Sequence, residues 1–280
     1  FAVIRTRLAM REARPSSPRP VVLVTGAARR IGREIALAFA RAGWDVAVHY
    51  ATSRDAALET CDALRALGAR AEAYACDLAD PAAAEALVPA IQAGFGRVDA
   101  LVNNASTFEY DDVASFDARM LQAHLLPNLV APVVLARALA ADVARRGPDG
   151  RGAVVNLLDQ KLWNYNPDFF SYTLSKAALE AATTMLAQAL APRVRVVGVA
   201  PGLTMISHLQ TPQQFAQTHA MSPLGHASRP EDIAQAVLFA AQNRSITGTT
   251  LLVDGGQHLV GFDRDFSMMN PPAGAAAGQT

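Results

Sequence analysis

Cysteine, lysine, aromatic residues and net charge are all scarce in this chain of 280 residues. Its two cysteines, Cys61 and Cys76, have neither metal-site spacing nor a redox motif, which excludes a disulfide framework and fits a reduced, cytoplasmic chain. Basic and acidic residues balance at 25 each, so charge offers no nucleic-acid or membrane surface. No metal is expected. No apolar run is read as reaching transmembrane length, which predicts a soluble protein. Only two of the 25 basic residues are lysines, Lys161 and Lys176. A chain that otherwise uses arginine has kept, at those two places, a compact and tunable ammonium.

Residues 1–19 carry five arginines against one acid, Glu12, and end in a Pro/Ser cluster. They read as a transit-like segment, an upstream extension or a disordered arm, and are set apart from the fold. From Pro20 the chain alternates two patterns. Apolar strand runs fall at 20–27, 44–50, 71–78, 98–105, 153–159, 194–201 and 249–256. Helical patterns fall at 30–42, 54–67, 80–94, 117–146, 171–191 and 232–241. Apolar strands separated by helices predict an α/β fold, a single doubly wound Rossmann domain with a seven-stranded parallel sheet covered on both faces. The domain is expected over 20–260, with a tail over 261–280 that is short of apolar anchors near its end.

Ligands of such sheets bind beyond the carboxyl ends of the strands. Those ends carry Thr25-Gly26, Asn103-Asn104-Ala105, Asp159 and Pro201-Gly202, which are expected to converge. The first strand–helix turn, Thr25 to Gly32, places Gly26, Arg29, Arg30 and Ile31 at a helix N-terminus. There glycine admits a pyrophosphate and free N–H groups favour an anion. Two arginines at that end oppose the helix dipole unless an anion offsets them; the alternative is a pair of solvated side chains. At the end of the second strand Tyr50, Ser53 and Arg54 precede the first acid, Asp55. An acid there suits a ribose 2′-hydroxyl and an arginine suits a 2′-phosphate, so NADPH is expected over NADH. Asp77 and Leu78 end the third strand, where Asp77 is placed to accept from an adenine amino group.

The stretch VVNLLDQKLWNYNPDFFSYTLSK, Val154 to Lys176, carries the chemistry. Tyr172 and Lys176 are four apart and share one helix face. A neighbouring ammonium favours the phenolate and suits Tyr172 to proton transfer, although such a pair on its own also fits an ordinary surface contact.

TGAARRIG, CDL, NNA, Asn128 in the long helix, YTLSK, the PG of GVAPG and the late VDGG, taken in order, resemble the short-chain dehydrogenase/reductase family across 20–260. Two departures narrow the resemblance. Arg30 stands where the family's phosphate turn has its middle glycine, and Asp159 stands where it has the catalytic serine, thirteen residues before the tyrosine. With the run Asn103 to Phe108, these are similar to pteridine and dihydromonapterin reductases. The resemblance implies a catalytic set of Asp159, Tyr172 and Lys176, with Asn128 supporting Lys176 through water. It also implies a pterin contacted by Arg30 and Ser106 and sandwiched by Phe108, and a homotetramer.

An ionised Asp159 only accepts hydrogen bonds and repels the oxyanion of a ketone reduction. It suits a substrate with N–H donors, or one whose ring nitrogen takes a proton while hydride adds to a C=N bond. Two other readings stand beside this one. They are a carbonyl reductase acting on 3-oxoacyl thioesters or sugars, and an NADPH-binding protein without activity. Trp163, Tyr165, Phe169 and Phe170 either wall the pocket or pack their own loop. The segment 203–225 fits a mobile substrate loop, and His208, His219 and His226 within or beside it read as structural or solvent-facing.

Overall fold

The computed structural model describes residues 19–206, 211–226 and 228–269. The N-terminal extension before Arg19, His208 and the final NPPAGAAAGQT fall outside the described residues.

Strands β1 (Val21–Val24), β2 (Asp45–Tyr50), β3 (Ala71–Ala75), β4 (Ala100–Asn103), β5 (Gly152–Leu157), β6 (Val194–Pro201) and β7 (Thr250–Val253) form one sheet. Its order is β3-β2-β1-β4-β5-β6-β7, and every pairing is parallel. Alternation along the strands explains the two cores. Val22, Val24, Val46 and Val48 face one side with α1 (Arg30–Arg41), α2 (Arg54–Ala66) and α8 (Pro230–Gln242). Leu23, Ala47, Leu101 and Val154 face the other with α3 (Pro81–Phe95) and α5 (Ala131–Arg145). The order reverses between β1 and β4, which opens a crevice at their carboxyl ends.

Three elements differ from the sequence expectation. The long helix is not uniform: α4 (Ala118–Leu125) passes through a π segment, Leu126–Val130, before α5. Pro127 has no N–H to give the ladder there, and Asn128 sits in the same segment. The third strand stops at Ala75, because the Asp77 carboxylate accepts from Ala79 N at 2.9 Å and turns the chain. The segment expected to be a substrate loop contains a helix, α7 (Pro212–Ala220), started by a Thr211/Gln214 capping box.

The membrane expectation also needs correction. Among the described residues one helix, Ala118–Arg145, is long and apolar enough to cross a membrane, with a window of mean hydropathy 1.5. Half of that window is buried in the fold, where α5 packs on α3, α6 (Phe170–Leu190) and the sheet, so its apolar face serves the core.

Candidate active site

The sharp turn after β1 is held by side chains from two neighbouring strands. Thr25 Oγ1 accepts from Asn104 N at 2.9 Å and from Ala105 N at 3.0 Å, and Asn104 Nδ2 returns a bond to Thr25 O at 2.9 Å. Gly26 has φ +62, and a Cβ on Gly32 would lie 2.2 Å from Gly26 O. Only hydrogen at these two positions lets the turn fold back so closely. His49, buried on β2, pins the turn from below. Its Nδ1 accepts from Gly26 N at 3.0 Å while Nε2 donates to Cys76 O at 2.9 Å. That arrangement is a neutral imidazole, and burial pushes its pKa below the ordinary histidine value.

At the start of α1 the N-cap Arg29 makes no side-chain cap, and the first turn holds no acid. Helix N–H groups left without an acceptor beside Arg29 and Arg30 suit a phosphate. Arg30 stands in the left-handed region at φ +54, where the family carries glycine. A non-glycine residue there costs of order 1 kcal/mol or more. Its guanidinium reaches across the crevice to Ile206 O, both N–H groups at 3.2 Å.

The helix carrying Tyr172 is fixed by a buried carboxylate from another loop. Phe169, at φ +54, gives no side-chain cap. Instead Asp111 Oδ1 accepts from Ser171 N at 2.9 Å and Oδ2 accepts from Ser171 Oγ. A carboxylate at the helix N-terminus also satisfies the dipole. Tyr172 then donates to Asp159 Oδ2 at 2.9 Å, and Asp159 Oδ1 accepts from Lys161 N at 2.9 Å. One turn on, Lys176 Nζ donates to Leu157 O at 2.7 Å and lies 5.8 Å from the Tyr172 ring centroid.

The electrostatics differ from the sequence expectation at Tyr172. Burial and the Asp159 charge hold its phenol well above the ordinary value, rather than the lysine pulling it down. Burial raises Asp159 too, and lowers Lys176 to about 8. Desolvation thus works against all three charged forms.

A cavity of about 880 Å³ joins most of the expected site residues. Gly26, Arg29, Arg30, Ile31, Asn104 and Ala105 line its phosphate end, and Pro201 and Gly202 form a wall. Ser106, Phe108, Asp159, Tyr172 and Lys176 surround the other end. Phe108 stacks on Phe169 at 4.3 Å and meets Tyr172 edge-on at 4.7 Å. This settles part of the aromatic question: Phe169 backs Phe108, Phe170 meets Phe116 edge-on, and Trp163 and Tyr165 are exposed.

Tyr50, Ser53, Arg54, Asp77 and Leu78 do not line this cavity; Tyr50 is the last residue of β2, and the other four lie beyond the ends of β2 and β3. Asn128 is buried and makes no direct bond to Lys176. Its side chain accepts from Thr107 N at 2.8 Å and Ser106 Oγ at 3.1 Å, and donates to Ser175 Oγ at 3.0 Å. It fastens the Ser106–Thr107 loop to the helix of Tyr172 and Lys176.

The tail, which was not anticipated in the site, contributes three lining residues, Asp265, Phe266 and Ser267. The described part of that tail is fastened down. Arg264 forks onto Asp168 at 2.7 and 2.9 Å, and Asp265 N donates to Asp168 Oδ2 at 2.7 Å. Buried Lys161 donates to Asp168 O at 2.5 Å and to Asp265 Oδ2 at 3.2 Å. The rarity of lysine marks Lys161 in the sequence, but nothing local marks Asp265 or His49.

Residues 26–258 match the family described as Enoyl-(Acyl carrier protein) reductase. The chain is similar to the crystal structure of FolM Alternative dihydrofolate reductase 1 from Brucella canis complexed with NADP. The TM-score is 0.82 and the identity 40%, covering 87% of this chain and 95% of that one. It is also 33% identical over 246 residues to L-rhamnose 1-dehydrogenase (NAD(P)(+)) of a Sphingomonas species, covering 85% of this chain and 96% of the relative. A third relative is 3-oxoacyl-[acyl-carrier-protein] reductase FabG of Staphylococcus aureus. It is 30% identical over 242 residues, covering 85% of this chain and 97% of the relative.

Proposed function

The chain belongs to the short-chain dehydrogenase/reductase family, and on that premise we propose that it reduces a dihydropterin to a tetrahydropterin with NADPH. The observation that carries this reading is the carboxylate of Asp159, bonded to the Tyr172 hydroxyl where a carbonyl reductase of the family has a serine. A carboxylate accepts from the N–H edge of a pterin, whereas it repels a developing alkoxide. The exposed side of the Phe108 stack suits a planar ring, and Arg30 and Ser106 flank it. The similar Brucella protein is named a dihydrofolate reductase and was solved with NADP, which supports both halves of the reading.

NADPH, when bound, supplies the hydride. The residues of this chain fit it: the uncapped start of α1 with Gly26, Arg29, Arg30 and Ile31 receives the pyrophosphate, and Asn104 and Ala105 hold that turn. Tyr50, Ser53 and Arg54 receive the 2′-phosphate, Asp77 and Leu78 the adenine, and Pro201 and Gly202 the nicotinamide side. Lys176 holds the nicotinamide ribose. Tyr172 and Asp159 move the proton to the ring nitrogen, with Asn128 holding the Ser106 loop in place. The reductase unit is residues 20–260, with the tail through Ser267 completing its cavity, and it acts as a cytoplasmic homotetramer.

The curated relatives favour a second reading, reduction of a 3-oxoacyl thioester or oxidation of a sugar. One assay decides. NADPH oxidation is followed with dihydrobiopterin, dihydromonapterin, dihydrofolate and a 3-oxoacyl thioester side by side. Turnover of a pterin is expected; turnover of the thioester alone would sink the proposal, and NADPH binding without turnover would favour a binding protein.

A further inference from the structure

Lys161 and Asp265 are 104 residues apart in the chain and form an ion pair at 3.2 Å in the wall of the active-site cavity. The Lys161 side chain is 4% exposed and that of Asp265 20%. Burying an ammonium is costly, and a pair of this kind is weak evidence for stability alone. The tail already has other anchors: the Arg264–Asp168 fork, the Asp265 N to Asp168 bond, and the packing of Phe262 on Phe266 at 4.7 Å. What the pair adds is a second carboxylate at the cavity. Asp265 Oδ1 accepts from Ser267 N at 3.0 Å and Ser267 Oγ at 2.7 Å, which fixes its orientation. Its charge is felt at the reacting groups, since it raises the pKa of both Asp159 and Tyr172.

We propose that Asp265, locked by Lys161, selects the substituent carried by the substrate ring, favouring a hydroxylated, uncharged chain and disfavouring one that ends in carboxylates. This rests on the pterin reading above. An ionised carboxylate only accepts hydrogen bonds, and each of its oxygens has more than one lone pair. Asp265 therefore has acceptor capacity left for substrate hydroxyls, and Ser267 Oγ beside it accepts further donors. An anionic substituent meets a like charge in a partly buried wall, where screening by salt is weak. Substrate preference is thus set in part by the tail.

The test uses the full chain and measures kcat and KM for dihydromonapterin, with its hydroxylated substituent, and for dihydrofolate, with its glutamate. The wild type, Asp265→Asn and Asp265→Glu are compared, and NADPH binding by fluorescence checks that each is folded. The wild type is expected to prefer dihydromonapterin. Asp265→Asn leaves the Lys161 charge uncompensated and should move the kcat/KM ratio about tenfold toward dihydrofolate, through KM rather than kcat. Asp265→Glu restores the charge and should restore the wild-type ratio. A wild-type preference for dihydrofolate, an Asn variant that alters both substrates by one factor, or one that no longer binds NADPH would each overturn the inference while leaving pterin reduction standing. A wild type that reduces neither pterin would overturn the functional reading, and this inference with it.

Discussion

The Tyr172 hydroxyl donates to Asp159 Oδ2 at 2.9 Å, so the proposed proton donor is already bonded to the carboxylate that stands at the position of the family's serine. Burial disfavours the charged form of each, and the Asp159 charge further opposes ionisation of the phenol. Tyr172→Phe removes the donated proton and should lower kcat by about 10²–10⁴-fold with NADPH affinity retained. Unchanged turnover would remove the tyrosine from the mechanism. Asp159→Ser restores a donor and should depress pterin reduction more than reduction of simple carbonyls. Equal losses on both substrates would defeat the donor–acceptor argument.

Lys176 is a stability liability at neutral pH. Burial lowers its pKa from 10.5 to about 8, against the attraction of Asp159. That shift corresponds to about 3 kcal/mol of penalty on the folded state while the amine is charged in both states. The penalty is complete below about pH 8. It is relieved as pH rises toward 10.5, where the unfolded chain still holds the proton that the folded chain has released. Lys176→Met removes the penalty and forfeits the bond to Leu157 O, itself worth roughly 1 kcal/mol. The variant should therefore gain about 1–2 kcal/mol in urea unfolding at pH 7 while losing activity. A destabilised variant would show that the buried ammonium contributes more through its contacts than it costs.

What could be read from the sequence was local. The turn of Gly26 to Gly32, the Asn103–Ala105 strand end and the Tyr172–Lys176 pair are each contiguous, and parallel strands bring their carboxyl ends together whatever the loops do. The active site had a further signal in Asp159, because its spacing to Tyr172 is fixed along the chain. Long-range contacts had none. Arg264 meets Asp168 across 96 residues and Lys161 meets Asp265 across 104, and no periodicity encodes such a pairing. The Asn128 partners also escaped notice, because they depend on a π segment that a helical pattern does not reveal.

Arg30 is the strained counterpart of a glycine. Its backbone is at φ +54, a conformation that side chains disfavour, and its guanidinium spans the crevice to Ile206 O. Arg30→Gly should raise stability by up to about 1 kcal/mol, the relief of strain being partly offset by a more flexible unfolded chain. The same change removes a cation beside the proposed pterin and should raise its KM about tenfold or more, with a smaller effect on NADPH. Thermal melts and steady-state kinetics on one preparation check both halves. A variant less stable than the wild type would mean that the Ile206 contact outweighs the strain.

His49 makes the phosphate turn sensitive to acid. Its ring accepts from Gly26 N and donates to Cys76 O, so it must be neutral, and burial holds its pKa below the ordinary value although Asp77 pulls the other way. The unfolded chain protonates this histidine near pH 6.5 and the folded chain only at lower pH. Between those values the unfolded state binds more protons. Stability is thus fully present above about pH 6.5 and falls with acidification by up to about 1.4 kcal/mol per pH unit until the folded pKa is reached. Once pH falls to the folded pKa, below that window, protonation also turns Nδ1 into a donor facing Gly26 N, which should loosen the turn and weaken NADPH binding. His49→Asn keeps an acceptor in reach of Gly26 N and carries no titratable group. Thermal melts and NADPH titrations from pH 5 to 8 should show the acid-sensitive component in the wild type and its loss in the variant. Parallel pH curves for the two proteins would place that sensitivity elsewhere in the fold.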